Sequence, residues 1–245
     1  MVAATKWTMT TPAFCLHSRP YRESSLIVQL FSEHAGRLSV VAKGVKGSAK
    51  KNTGLLSLLQ PFVPLHVSVT GKSELKTLVS AEADRQPYPL KAQALFAGLY
   101  VNELLVRLLP EHIDYPEVYF YYQHVLEELQ HASMLEPPLR QFEKRLLESL
   151  GYAVPFVAVD AMGHAAGFLQ ATEYYRFVPE SGFVCCAPPD AAGKNQVVFK
   201  GEYLLQFAND NLDTPESVLQ AKQLMRVVMA QRLGNKTLNS KWLFA

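Results

Sequence analysis

Residues 13–47 read AFCLHSRPYRESSLIVQLFSEHAGRLSVVAKGVKG, a succession of short apolar runs parted by polar turns, with no helical period. Ala13 to His17 is the first run. Ser25 to Ser32 is rich in branched residues, and Glu33 to Gly36 then marks a turn. Arg37 to Lys43 follows and is ended by Gly44. Downstream, Leu58 to Thr70 alternates Val63, Leu65, Val67 and Val69, with Pro61 and Pro64 confined to its start. Leu75 to Ala83 is a fifth candidate strand. Five short strands without an intervening helix predict a small antiparallel barrel. An OB-fold has that strand count, and a sandwich edge or SH3-like barrel shares it.

From Pro89 the period changes to that of helices. Leu95, Phe96, Leu99, Tyr100, Leu104, Leu105, Leu108 and Leu109 recur at helical spacing before Pro110. A second helix is predicted from Pro116 to His131. A third is predicted from about Pro137 to Leu150, with Gly151 placed as a left-handed C-terminal cap. Residues 153–199 lose the pattern, and strand-like patches remain at Glu173 to Val178 and Gly182 to Cys186. Helical spacing returns at Tyr203 to Ala208. A last helix follows, with Thr214 as N-cap and Pro215 at N1. The expected class is α+β: a five-stranded OB-fold barrel (1–83), then an all-helical domain (84–152) with a small irregular β-insert (153–199). C-terminal helices (200–245) are expected to pack on that domain.

Hydrophobic residues make up 49% and charged residues 19% of the 245, which excludes a disordered chain. No apolar run approaches a membrane span, and residues 1–11 lack the features of a secretory signal. Three cysteines, Cys15, Cys185 and Cys186, form no disulfide framework. A cytoplasmic, nucleoid-associated protein is the expectation. The net charge of +2 hides a division: residues 1–80 hold ten Lys and Arg against three acids, and residues 81–160 six against twelve. One end of the chain is thus suited to a polyanion; the plain alternative is a solubilising basic face.

The strongest candidates for polyanion contact are Arg19, Arg22, Arg37 and Lys43, joined by Lys46, Lys50 and Lys51 in the basic loop Val45 to Gly54. That loop is not a phosphate-binding P-loop, because its spacing is wrong and a strand is expected after it. Tyr21, between Arg19 and Arg22, is the best base-stacking candidate. Phe31, Phe62 and Cys15 are assigned to the barrel core. His17, His34 and His66 serve as polar surface or phosphate contacts, and Glu103, Glu127 and Glu128 as helix-surface acids. Arg140, Lys144 and Arg145 flank Phe142 in the third helix. They form either a basic rim over an apolar pocket for an acidic peptide, or a charged face paired with Glu143 and Glu148. No catalytic motif is present. Cys185 and Cys186 are adjacent and cannot easily point at one ion, His164 could be a third ligand, and no CxxC pair exists, so no metal and no cofactor is expected.

Residues 13–47, with LLQPFVPL (58–65), ELKTLVSAEA (74–83) and LFAGLYVNELLVRLLPE (95–111), resemble the RecO family of recombination mediators. Weaker likeness continues in PPLRQFEKRLLESLGY (137–152) and LGNKTLNSKWLF (233–244). The resemblance implies an N-terminal OB-fold, a helical domain and a zinc-ribbon-like region. It implies binding of single- and double-stranded DNA, strand annealing, and help in loading RecA onto strands coated by single-strand-binding protein. Implied partners are RecR, the acidic C-terminal tail of that coating protein and, indirectly, the RecA filament, with no membrane. By position, Arg19, Arg22, Arg37, Lys43 and Lys46 fall in the DNA-binding barrel, and Arg140 in the helix that receives the tail. Many members hold zinc with four cysteines; here the first pair is missing around Phe156 to Asp160. A zinc-free insert held by packing is expected.

Overall fold

The structure, a computed structural model, describes residues 8–45, 50–189, 197–234, 238 and 240, with only the backbone course given for residues 50–53. Five strands close the barrel: β1 (Thr8–Tyr21), β2 (Ser25–Ser32), β3 (Gly36–Ala42), β4 (Pro64–Thr70) and β5 (Lys76–Ala83). Their order is β1-β2-β3-β5-β4, with β3 and β5 parallel, which is the arrangement of an OB-fold. Period-two alternation sends Leu26, Val28 and Leu30 inward, with their register partners Ala42, Val40 and Leu38 beside them on the same inner face. Cys15 is in that core, and burial pushes its thiol up to about 12.

β1 serves two neighbours. Thr8 to Phe14 pair with β4, and Ala13 to Tyr21 pair with β2. A bulge between Cys15 and His17 bends the strand around the closing barrel.

The segment between β3 and β4 departs from expectation. A helix, α1 (Lys50–Leu58), stands where a basic loop and the start of a strand were expected, and the strand begins only at Pro64. Leu55 and Leu58 pack against the barrel core, and Leu59 is buried within it. This spacing of three and four places them on one helix face.

Two helices complete this compact unit: α2 (Ala92–Leu108) and α3 (Pro116–His131). Phe14 and Phe31 point outward from the barrel yet are fully buried. The ring of Tyr122 lies 5.0 Å from that of Phe14, and the ring of Tyr119 lies 5.4 Å from that of Phe31. Phe31 and Phe62 thus pack outside the barrel core rather than within it. Phe62 approaches Gly98 of α2, where an added Cβ would stand 2.8 Å from its ring. A buried polar chain ties these layers together. Asn102 Nδ2 donates to Leu16 O at 3.1 Å, and the Tyr122 hydroxyl donates to Asn102 Oδ1 at 2.7 Å. Leu16 is the residue at the bulge.

Glu103 also belongs to this unit's interior rather than to its surface. Its side chain is 14% exposed, and its Oε2 accepts from Ser240 N at 2.8 Å and Ser240 Oγ at 2.6 Å. Ser240 therefore belongs to the barrel unit although Met134 to Asn235 form the other.

The second unit holds α4 (Glu136–Ser149), then β6 (Ala158–Val159), β7 (Ala165–Gly167), β8 (Tyr174–Val178), β9 (Gly182–Cys186), β10 (Phe199–Lys200), α5 (Gly201–Ala208) and α6 (Pro215–Leu233). The strands form one sheet in the order β10-β8-β9-β6-β7. Phe183 is fully buried at its centre, with the rings of Phe156, Phe177 and Phe199 at 5.9, 5.3 and 6.3 Å. Compact units thus divide the chain after Ser133. The cause is local: the tyrosines of α3 cover the outer face of the barrel, whereas α4 packs with α6.

Replacing Asn102 by Leu leaves the Leu16 carbonyl and the Tyr122 hydroxyl buried without partners. Each such loss costs about 1–3 kcal/mol. Tyr122→Phe keeps the ring and removes one hydrogen bond, about 1 kcal/mol. Urea midpoints followed by circular dichroism will fall further for Asn102→Leu than for Tyr122→Phe; the reverse order would contradict this account.

Candidate nucleic-acid interface

The outer surface of the barrel carries an exposed basic set at the end of β1 and β3. Arg19 pairs with Ile27 on β2, and Ile27 pairs with Val41 on β3, so one register row crosses three strands. Successive strands lie about 4.8 Å apart, which places Arg19 roughly 10 Å from Val41 across the face. Two residues along, and so on the same face, Tyr21 pairs with Ser25, and Lys43 follows Ala42, the partner of Leu26. Arg19, Arg22 and Lys43 are exposed and Tyr21 is half-buried. None of the three cations forms an ion pair among the described residues. Arg22 sits in the β1–β2 turn with φ +53°, and its guanidinium lies 5.2 Å from the centroid of the Tyr21 ring. A flat ring between cations is a platform on which a base can stack while phosphates are neutralised.

β5 runs parallel to β3, with Lys76 paired to Val40; Val40 and Leu78 lie in the core, so Lys76 is on the opposite face of the sheet from Lys43. Lys72 is exposed in the turn that precedes β5. Of the other candidates, Lys46 lies outside the described residues. Lys50 and Lys51 lie in α1 with their side chains outside the description.

Arg37 does not join this face, contrary to expectation. It stands near the other end of β3 with its side chain 15% exposed. Its Nε donates to Leu109 O at 3.0 Å, and Nη1 donates to Gln29 Oε1 at 2.9 Å and Glu111 Oε1 at 2.7 Å. Ser39 Oγ donates to the same carboxylate oxygen at 2.9 Å, and His112 N donates to Arg37 O at 3.0 Å. The neighbouring turn is as tight. Gly36 has φ +61°, and a Cβ there would sit 1.8 Å from Ile113 O. Arg37 is a fastener between β3 and the segment after α2.

The cations of α4 are likewise engaged within their own unit. Arg140 Nη2 pairs with Glu143 at 2.9 Å, and the Glu143 side chain is fully buried. Lys144 Nζ donates to the carbonyls of Phe207 at 2.9 Å and Ala208 at 3.0 Å, and it pairs with Asp210. It thereby caps the C-terminus of α5, where carbonyls lack helical partners. Arg145 bridges Asp210 and Glu148, the latter at 3.2 Å. Phe142 is buried. The set is thus an internal ion-pair network rather than an open basic rim over a pocket.

The cysteines of the second unit do not fit a zinc site. Cys185 is exposed, 3.7 Å from Glu173 Oε2, and successive strand residues point to opposite faces. Among the described residues no group of three or more His, Cys, Asp or Glu converges for a metal ion. No helix among them is long and apolar enough to cross a membrane.

Comparison with known proteins gives a consistent result. The family profile described as "Recombination protein O N terminal" matches residues 6–86, and "Recombination protein O C terminal" matches residues 90–241. The chain is 41% identical over 241 residues to the DNA repair protein RecO of Stutzerimonas stutzeri, covering 98% of this chain and 95% of that one. It is 41% identical over 234 residues to the RecO of Mannheimia succiniciproducens, covering 94% and 96%. Among solved structures, an asparaginyl-tRNA synthetase of Entamoeba histolytica matches with TM-score 0.27 and 11% identity over 72% of this chain and 37% of that one, too low to carry an argument.

The contrast between Arg37 and the exposed set is measurable. Arg37→Ala strips a partner from Glu111 and from the Leu109 carbonyl, at a cost of about 1–3 kcal/mol. Arg19→Ala and Lys43→Ala remove exposed side chains and will stay within about 0.5 kcal/mol of the parent. Equal thermal midpoints for all three variants would show that Arg37 is not a fastener.

Proposed function

Because the chain belongs to the RecO family of DNA repair proteins, we propose that it acts as a recombination mediator through the basic face of its barrel. In this reading it binds single- and double-stranded DNA, anneals complementary strands and helps load RecA onto strands coated by single-strand-binding protein. One observation carries the proposal. Arg19, Arg22 and Lys43 stand exposed around Tyr21 at one end of three adjacent strands, without internal counter-ions among the described residues.

The mechanism needs no bond chemistry. Cations on the barrel replace the counterions of the phosphates, and that release supplies most of the free energy of binding. Tyr21 offers a stacking surface indifferent to sequence. Two strands held on such faces repel each other less, so complementary bases meet. RecR, the acidic C-terminal tail of the coating protein and, indirectly, the RecA filament are the proposed partners, and the nucleoid the proposed location. Docking of that tail on Arg140, Phe142, Lys144 and Arg145 requires Asp210 to yield its place. That carboxylate already bridges Lys144 and Arg145.

Fluorescence anisotropy of a labelled single strand, titrated across salt concentrations, tests the reading. Log affinity falls by about 0.7 per phosphate contact for each log unit of salt on single strands. Arg19→Ala with Lys43→Ala will therefore flatten the slope by about 1.4 and slow annealing of bare and coated strands. Failure of the parent protein to bind oligonucleotide at low salt would instead leave a scaffold that reaches DNA only through other proteins.

A further inference from the structure

The outward stripe of α3 is a second open surface, opposite in charge to the barrel face. Glu117, Phe120, Tyr121, His124, Glu127 and Glu128 follow at three- and four-residue steps and so share one side of the helix. Its other side is buried in the barrel unit. Phe120 is 65% exposed, its ring parallel to that of His124 at 6.3 Å and edge-on to Tyr121 at 5.9 Å. Glu117 and Glu127 are exposed and form no ion pair among the described residues. Glu128 pairs only with His124, at 3.6 Å, among those residues.

Stacked rings held between carboxylates repel phosphate and suit a surface with cations and a flat ring. The barrel face of this same chain has both: Arg19, Arg22 and Lys43 around Tyr21. Within one molecule the two cannot meet. α3 covers Phe14 and Phe31 with its inner side, so its acidic stripe faces away from the barrel surface that carries the cations.

We propose that the basic barrel face of one copy docks on the acidic, aromatic α3 stripe of a second copy, and that DNA competes for the barrel face. Such a contact joins two different patches, so each pair keeps one of each open and short chains can grow. A net charge of only +2 leaves little overall repulsion against it. Exposed ion pairs contribute little each, so the association is weak and sensitive to salt. Only the competition rests on the DNA-binding role proposed above.

Sedimentation velocity of the full chain tests this at about 0.1 M and about 1 M salt, where the screening length falls from about 10 Å to about 3 Å. Average mass should rise with protein concentration at low salt and return to that of a single chain at high salt. Glu117→Lys with Glu127→Lys, and separately Arg19→Glu with Lys43→Glu, should each remain single while keeping the parent's circular dichroism. An equimolar mixture of the two variants should associate again, since each supplies the charge the other's altered face needs. An oligonucleotide should dissolve the parent's assemblies. A parent that stays single at low salt, an α3 variant that still associates, or a mixture that does not would overturn the inference. If the barrel variant loses association but keeps oligonucleotide affinity, the DNA role fails and the self-contact stands. The reverse result removes the self-contact alone.

Discussion

The architecture of the barrel unit turns on one buried amide. Asn102 spans the gap between a strand bulge and two helices, giving a proton to the Leu16 carbonyl and taking one from the Tyr122 hydroxyl. A bulge frees a backbone group from the ladder, and a carbonyl freed beneath a helix must find a donor. Without the bulge, β1 could not serve both β2 and β4. Without Asn102, covering the bulge with α2 and α3 would leave the Leu16 carbonyl buried without a donor. Closure of the barrel and the docking of its helices are thus two aspects of the same hydrogen-bonded chain. Burial moves the Tyr122 hydroxyl well above its ordinary pKa, so this link stays protonated through the neutral range.

That docking also determines where charge can be used. Helices on Phe14 and Phe31 occupy one end of the β1–β2 surface, and the cations of the other end stay in water. Arg37 shows the alternative fate of an arginine on the same barrel: three acceptors surround it, and little of its field is left for a ligand. Position on a strand sets which way a side chain points, but the neighbours above it decide whether its charge is available. The same rule governs α4, where Asp210 absorbs two cations that spacing alone places on an open face.

Local signals made much of this legible. Pro116 opens α3 and His131 ends it as its period indicates, and Thr214 caps α6 in a reciprocal pair with Ser217. Gly151 takes φ +80° after α4, as a left-handed cap requires. Tertiary effects were not legible. α1 contains Asn, Thr and Gly, weak helix formers, and it is held by leucines that fill the barrel mouth. Arg37 finds Glu111 at a separation of 74 residues, and no window along the chain carries that pairing. Resemblance placed Arg37 with the DNA-binding residues; geometry assigns it to the scaffold.

The Ser240 contact makes the barrel unit discontinuous in sequence, because its last hydrogen bonds to Glu103 come from 137 residues downstream. A growing polypeptide leaves the ribosome from its N-terminus. The barrel and its two helices can therefore assemble early, but the Glu103 carboxylate waits for its hydroxyl and amide partners until the second unit has been synthesised. Completion of the first unit is in this sense a signal that translation has passed through the second.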